Sequence, residues 1–157
     1  MKINFTKKEY RLLVDLLEIS EWVLNSHDTA DDPAKKKYSE LIQKIYADSK
    51  TMDCEDILEY APEQNQYYAT LDYEENSAYR KYVDEFENNA FWDSLALDLS
   101  RRDFIQQEGY ENIKNMGDEE RMTKLFELKD WYDNEFADSG LDNVKVVKEK
   151  EKDNSHH

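Results

Sequence analysis

The sequence predicts a mainly α-helical protein, and three observations carry that prediction. Only 3 Gly and 2 Pro occur among 157 residues, too few for the many tight turns of a β-sandwich or barrel. Apolar residues recur at helical spacing in several segments, with capping residues before them. Aromatic residues make up 13% of the chain, more than is typical of a disordered acidic chain. We therefore expect a compact bundle of about five helices around a central N-terminal helix.

The first helix is predicted to follow Thr6 and to run to about Asn25. Thr6 and Glu9 have the spacing of a capping box, in which each side chain satisfies the backbone N–H of the other residue. A helix that is apolar on two sides is normally packed by neighbours on both, so we expect this helix to be central. One apolar stripe consists of Tyr10, Leu13, Val14, Leu17 and Leu24, and the other of Leu12, Leu16, Ile19 and Val23.

Four more helices are predicted after the first. The second begins at Asp32-Pro33, because Asp is a good N-cap and proline in the first turn loses no needed hydrogen bond. The others are bounded by Asn, which caps helix starts, and by Gly, which adopts the left-handed conformation at helix ends. The third helix is predicted over about 72–87. The fourth is predicted over about 89–107, with its cap at Asn88 or Asn89 and its stop at Gly109. The fifth is predicted over about 118–137, with its stop at Gly140.

Two places in the sequence leave room for a little β-structure. Residues 58–60 and 66–68 flank a polar stretch and fit a small hairpin. Residues 143–147 fit one short strand. The fold class therefore remains all-α in the main.

Length predicts a single acidic helical domain over 1–147. Residues 148–157 have no apolar anchor and are predicted to be a disordered charged tail. The lone Cys54 has no partner for an internal disulfide, and the sequence carries neither a secretory signal pattern nor a long apolar span. We therefore expect a cytoplasmic protein that does not bind membranes.

The negative charge is concentrated in the middle of the chain. Residues 51–100 carry 13 acidic and 2 basic side chains, which accounts for −11 of the formal net charge of −16. The same segment holds six of the 11 tyrosines. An acidic surface with interleaved Tyr suits a basic protein partner, because complementary potential speeds encounter and Tyr adds buried area with a polar tip. Nucleic acid is excluded as a partner, since binding phosphates needs clustered Lys and Arg.

The best functional prediction is therefore an acidic interaction module, either an inhibitor or immunity-type protein or a mimic of DNA charge. A plainer interpretation also stays open, in which the acids only keep the protein soluble and the tyrosines are core. A third alternative is a structural homo-oligomer whose tyrosine-rich face is its own interface. The predicted partner-binding residues are Asp72, Tyr73, Glu74, Glu75, Asp84, Glu85 and Glu87.

The sequence contains few of the residue combinations that form catalytic or metal sites, and we predict no catalytic residue, metal ligand or cofactor. His27 is the only histidine before the tail, which removes zinc sites that need several His or Cys. A dyad of His27 with Cys54 is disfavoured, because the acids around the cysteine oppose its thiolate. The enzyme alternative is a carboxylate-bound Mg²⁺ site of the kind found in all-α nucleotide hydrolases. Its candidate ligands are the pairs Glu18/Glu21 and Glu127/Asp130, which lie much farther apart than in those enzymes.

Glu21 is predicted as a possible buried carboxylate, because it falls on the first apolar stripe of the N-terminal helix. A buried carboxylate must be paired or hydrogen-bonded, or its pKa rises. Lys129, on the inner side of the last helix, is one candidate partner. The alternative is a position at the rim of the core, where Glu21 reaches solvent or a tyrosine hydroxyl.

Overall fold

The computed structural model describes residues 3–25 and 32–146. Across these residues the chain forms six α-helices and one two-stranded antiparallel sheet, which confirms the predicted fold class. No helix in these ranges is long and apolar enough to cross a membrane. His27 and the predicted tail over 148–157 lie outside the described residues. The elements are α1 (Lys7–Asn25), α2 (Pro33–Tyr46), β1 (Leu58–Ala61), β2 (Gln66–Ala69), α3 (Leu71–Asn76), α4 (Ala78–Glu108), α5 (Tyr110–Asn115) and α6 (Asp118–Ser139).

The chain divides into two compact units, unit 1 (Met1–Glu87) and unit 2 (Asn88–His157), and each is described by itself. The single domain predicted over 1–147 stays a prediction. The core of unit 1 takes side chains from α1, α2, the hairpin, α3 and the first turns of α4. Its buried members are Tyr10, Val14, Ile42, Tyr46, Cys54, Ile57, Leu58, Ala69, Tyr73, Tyr79 and Val83.

Unit 2 has a smaller core, formed where α4 and α6 pack on each other. Ala96 of α4 is fully buried, and Tyr132 and Phe136 of α6 are 8% exposed. Gly109 and Gly140 follow α4 and α6 with φ of +73° and +55°, a backbone conformation that other residues rarely adopt. Both predicted glycine stops are therefore confirmed.

Two of the predicted helix starts, at Thr6 and at Asp32, are confirmed in atomic detail. The backbone N–H of Thr6 donates to the Glu9 carboxylate at 2.8 Å, and the backbone N–H of Glu9 donates to the Thr6 hydroxyl at 3.3 Å. At α2 the carboxylate of Asp32 accepts from the backbone N–H of Ala34 at 2.8 Å, with Pro33 in the first turn. These contacts satisfy N–H groups that have no partner inside the helix.

One of the two apolar stripes of α1 is packed, and the other is largely exposed. Tyr10 and Val14 are 2% and 0% exposed, and the Tyr10 hydroxyl donates to the Ile45 carbonyl of α2 at 2.8 Å. On the other stripe Leu12, Leu16 and Val23 are 62%, 63% and 69% exposed, whereas Ile19 is half-buried and packs against the core of unit 1. Within unit 1, α1 is therefore packed mainly on one side, and not equally on both sides as expected of a central helix. Instead, α1 packs through the side that carries Tyr10 and Val14.

One continuous helix, α4, runs through the position where the sequence predicted a break at Asn88 or Asn89. The break lies earlier, at Ser77, whose extended backbone separates α3 from α4. Asn in a helix interior costs less than about 1 kcal/mol relative to Ala, and neither Gly nor Pro occurs between 78 and 108. The local signal was therefore too weak to stop the helix.

The predicted hairpin is confirmed and the predicted short strand is not. Strands β1 and β2 pair in antiparallel register, with Leu58 opposite Ala69 and Tyr60 opposite Tyr67. Asn65 precedes β2 with φ of +54°, which Asn tolerates better than most residues. Residues 143–146 form no strand in the described part of the C-terminal segment.

Candidate functional site

Unit 1 contains a groove with a cavity volume of about 990 Å³, which we call the acidic groove. It is lined by residues of α1, α2, β2, α3 and the first turns of α4. Among the described residues, its charged lining consists of five carboxylates and one cation: Glu18, Glu21, Glu74, Glu75, Asp84 and Arg80. Its aromatic lining consists of Trp22, Tyr46, Tyr67, Tyr68 and Tyr79.

Helix α1 lines the acidic groove through Glu18, Glu21, Trp22 and Asn25, which recur at i, i+3, i+4 and i+7 and so share one face. Glu21 is half-buried rather than buried, and its carboxylate accepts from the side-chain amide of Asn25. Lys129, the other member of the predicted pair, has its own partners in unit 2. Its ammonium lies 2.8 Å from the carboxylates of Asp93 and Asp133.

Glu18, one turn before Glu21, is the groove carboxylate whose ionisation the structure shifts. The Tyr46 hydroxyl of α2 donates to it at 2.5 Å. Burial raises the pKa of the Glu18 carboxyl above its ordinary value of 4.5, and the charges of Glu74 and Glu21 add to the rise. The hydrogen bond from Tyr46 lowers the pKa of Glu18, but it does not cancel the effect of burial.

Replacing Glu18 with Gln is expected to remove a pH dependence of stability. Because the folded-state pKa is raised, the folded protein binds this proton more tightly than the unfolded chain does. The resulting stabilisation is present below pH 4.5 and is lost as the pH rises through the folded pKa. The stability of Glu18→Gln relative to the natural protein should therefore grow between pH 4 and pH 7 (about the range of an acid titration) in urea unfolding.

Glu21→Gln is the matched control, because it removes the same charge from the same face of α1. An identical pH dependence in both variants would mean that the net charge of the groove, and not the burial of Glu18, sets the effect. If Glu21→Gln leaves stability and its pH dependence unchanged, the prediction of a buried carboxylate at Glu21 also fails.

Gln43 of α2 closes the edge of strand β2 that faces it. Its side-chain amide donates to the Tyr67 carbonyl at 2.8 Å and accepts from the Tyr67 N–H at 2.7 Å. This pair of bonds is the one that a neighbouring strand would make. At Tyr67 the edge is therefore occupied, and a ligand in the groove would meet side chains rather than open backbone groups of this residue.

Helices α3 and α4 place the remaining carboxylates. Thr70 caps α3 by accepting from the Tyr73 N–H at 3.4 Å, and α3 presents Glu74 and Glu75 to the groove. The chain turns at Ser77, and α4 then presents Arg80 and Asp84. The Arg80 guanidinium lies 3.8 Å from the Asp84 carboxylate, an ion pair too long to be a hydrogen bond.

Trp22 carries the contact between α1 and the start of α4. The guanidinium carbon of Arg80 lies 4.5 Å from the centre of the Trp22 ring, within cation–π range. The indole N–H of Trp22 donates to the Glu87 carboxylate at 2.7 Å. One aromatic ring thus holds a cation on its face and a carboxylate at its edge.

The predicted partner-binding residues divide into three groups. Glu74, Glu75 and Asp84 line the acidic groove. Asp72, Glu85 and Glu87 are exposed and do not line the groove; Asp72 accepts from Asn76 at 3.1 Å, Glu85 lies 3.6 Å from Lys81, and Glu87 accepts from Trp22 at 2.7 Å. Tyr73 is a correction: it is 9% exposed and belongs to the core, because its ring packs on Tyr79 and its hydroxyl donates to Asp15.

Trp22, Tyr46 and Tyr79 were missed as site residues. Trp22 had a detectable signal, since it follows Glu21 and lies four residues after Glu18 on one helical face. Tyr46 and Tyr79 had none, because they line the groove from two other helices, α2 and α4. Burial raises the pKa of Tyr79 to about 12, so its hydroxyl remains a donor at neutral pH.

Of the residues considered for catalysis, His27 lies outside the described ranges and the others are described within their own units. Within 3–25 and 32–146, no group of three or more His, Cys, Asp or Glu side chains has the spacing to hold a metal ion. Cys54 is fully buried, and its thiol donates to the Met52 carbonyl at 3.3 Å. Glu18 and Glu21 lie on α1 in unit 1, and Glu127 and Asp130 lie on α6 in unit 2.

Comparisons of the chain with family models, with characterised proteins and with solved structures found no match.

Proposed function

We propose that the chain is a protein-interaction module whose acidic groove binds a basic segment of a partner protein. The observation that carries the proposal is the lining of the groove, which sets five carboxylates and several aromatic rings around one arginine. Carboxylates attract and orient a basic segment, and aromatic rings supply contact area at low entropic cost. Glu74 and Glu75 are exposed, so they are available to an incoming cation.

The concave form of the groove favours one version of this function over the other. A mimic of DNA charge that occupies a cleft of its partner needs its carboxylates on a convex surface. The carboxylates of the acidic groove surround a cavity instead. They suit a protruding basic loop or tail of the partner. An inhibitor or immunity-type protein would bind such a segment of a basic toxin or nuclease.

Binding of a basic peptide is expected to be saturable and strongly weakened by salt. Exposed charges are screened over about 10 Å at 0.1 M ionic strength and over about 3 Å at 1 M. Fluorescence anisotropy of a labelled peptide rich in Lys and Arg, titrated at several salt concentrations, measures this directly. A partner captured from native lysate at low salt should likewise be basic and should elute as salt increases.

Two results would contradict the proposal. The first is the absence of saturable peptide binding at low salt, together with the capture of acidic or neutral proteins only. The second is a concentration-dependent dimer in sedimentation that persists at high salt and blocks the groove, which would support the homo-oligomer instead.

A further inference from the structure

The position of Arg80 indicates which class of side chain the acidic groove binds, an inference that rests on the proposed function. Arg80 is the one cation in the lining that the structure describes. Arg80 lies over the face of Trp22, and its guanidinium carbon is 4.5 Å from the centre of the ring. The chain itself therefore shows a guanidinium group held in the groove.

The surroundings of Trp22 favour a cation on its ring. The indole N–H donates to the Glu87 carboxylate at 2.7 Å. A hydrogen bond to an anion pushes electron density into the indole ring, which strengthens its attraction for a cation on the face. Asp84, one helical turn after Arg80, adds a carboxylate on the same side.

Stacking on Trp22, which an incoming guanidinium can also make, is the contact of Arg80 for which a ligand must compete, because the ion pair of Arg80 is weak. Its ion pair with Asp84 is 3.8 Å long, beyond hydrogen-bond distance, and its side chain is 31% exposed. A partly exposed ion pair of this length adds little to stability. An incoming arginine that also contacts Glu74 and Glu75 would bring contacts that Arg80, fixed to α4, does not supply.

We propose that the acidic groove binds arginine in preference to lysine, by stacking the partner's guanidinium on Trp22 in the place that Arg80 now occupies. A planar guanidinium stacks on an aromatic face and binds a carboxylate with two parallel bonds, whereas a lysine ammonium is a compact, strongly hydrated charge. In this arrangement Arg80 competes with the ligand for the indole face. The groove is therefore partly blocked by its own chain.

The experiment compares two labelled peptides of equal length and charge, one alternating Arg with Gly and the other Lys with Gly. Anisotropy titrations at low salt should give an affinity about three- to tenfold higher for the Arg peptide. Trp22→Leu should bring the two affinities together while the Lys peptide still binds. Trp22→Phe, which keeps an aromatic ring in the packing, should leave a reduced preference and covers the case in which Trp22→Leu does not fold.

A second pair of variants tests the role of Arg80. Arg80→Gln should increase the affinity for the Arg peptide severalfold more than Lys81→Gln does. Both changes remove one positive charge from α4, but Lys81 pairs with Glu85 and does not line the groove. Equal effects of the two variants would overturn displacement of Arg80.

The outcomes separate the inference from the proposed function. Equal affinity of the natural protein for the two peptides overturns the arginine preference and leaves the binding of basic segments in place. Failure of both peptides to bind overturns both. A preference for Arg that survives in Trp22→Leu, or that is undiminished in Trp22→Phe, overturns the assignment of Trp22 as the stacking surface.

Discussion

Reversing two carboxylates of the acidic groove, with Glu74→Lys and Glu75→Lys together, is expected to weaken the binding of a basic peptide by about thirtyfold or more. Both residues are exposed and both line the groove, so the change acts on the ligand and not on the core. It also turns attraction into repulsion at the point of contact. Anisotropy titration at low salt is the measurement, with circular dichroism to show that the helices are retained.

Glu127→Lys with Asp130→Lys provides the control for net charge. These two residues are exposed on α6 in unit 2, and the change alters the formal net charge of −16 by the same four units. Binding should fall by less than about threefold, because exposed charges outside the binding site act only through a screened field. Equal losses in the two double variants would mean that the acids contribute overall charge and solubility, the plainer interpretation of the sequence.

The parts of the fold that the sequence predicted are those determined within a few residues. The capping box of Thr6 and Glu9 closes over one turn, and Asp32 caps α2 over two residues. Gly109 ends α4 through its own backbone conformation. Such features depend on local sterics and hydrogen bonds, so one short segment contains all the information needed.

The acidic groove was only half predicted, because its residues come from distant parts of the chain. The excess of acids in 51–100 was visible in the composition, and three of its carboxylates do line the groove. Glu18 and Trp22 lie more than 50 residues before Glu74 and Arg80 and belong to a segment of zero net charge. Which face of α1 meets α3 and α4 depends on tertiary packing, and a helical pattern alone does not determine it.

Tyr73 shows the same limit for a single residue. Its position between Asp72 and Glu74 suggested a surface tyrosine. On a short helix, however, neighbours in sequence point in different directions, so Tyr73 enters the core while Glu74 and Glu75 face the groove. Exposure of an aromatic residue therefore cannot be inferred from the charge of the residues next to it.

Leu58→Ala is expected to lower the free energy of unfolding by about 2–5 kcal/mol. Leu58 is 2% exposed at the start of β1, where it pairs with Ala69 in the core of unit 1. The substitution removes buried apolar contact and leaves a cavity that the surrounding side chains fill only in part. Against a total stability of about 5–15 kcal/mol for a typical domain, the loss should appear clearly in urea unfolding at pH 7.

Leu16→Ala makes the same chemical change at a position that is 63% exposed on α1, and its effect should stay within about 0.5 kcal/mol. The comparison tests which stripe of α1 is packed, because the sequence alone predicted that both are. If Leu16→Ala costs as much as Leu58→Ala, then Leu16 is covered in solution and the one-sided packing of α1 is wrong. Repeating the unfolding at several protein concentrations would then show whether a second copy provides the cover, since the stability of an oligomer depends on concentration.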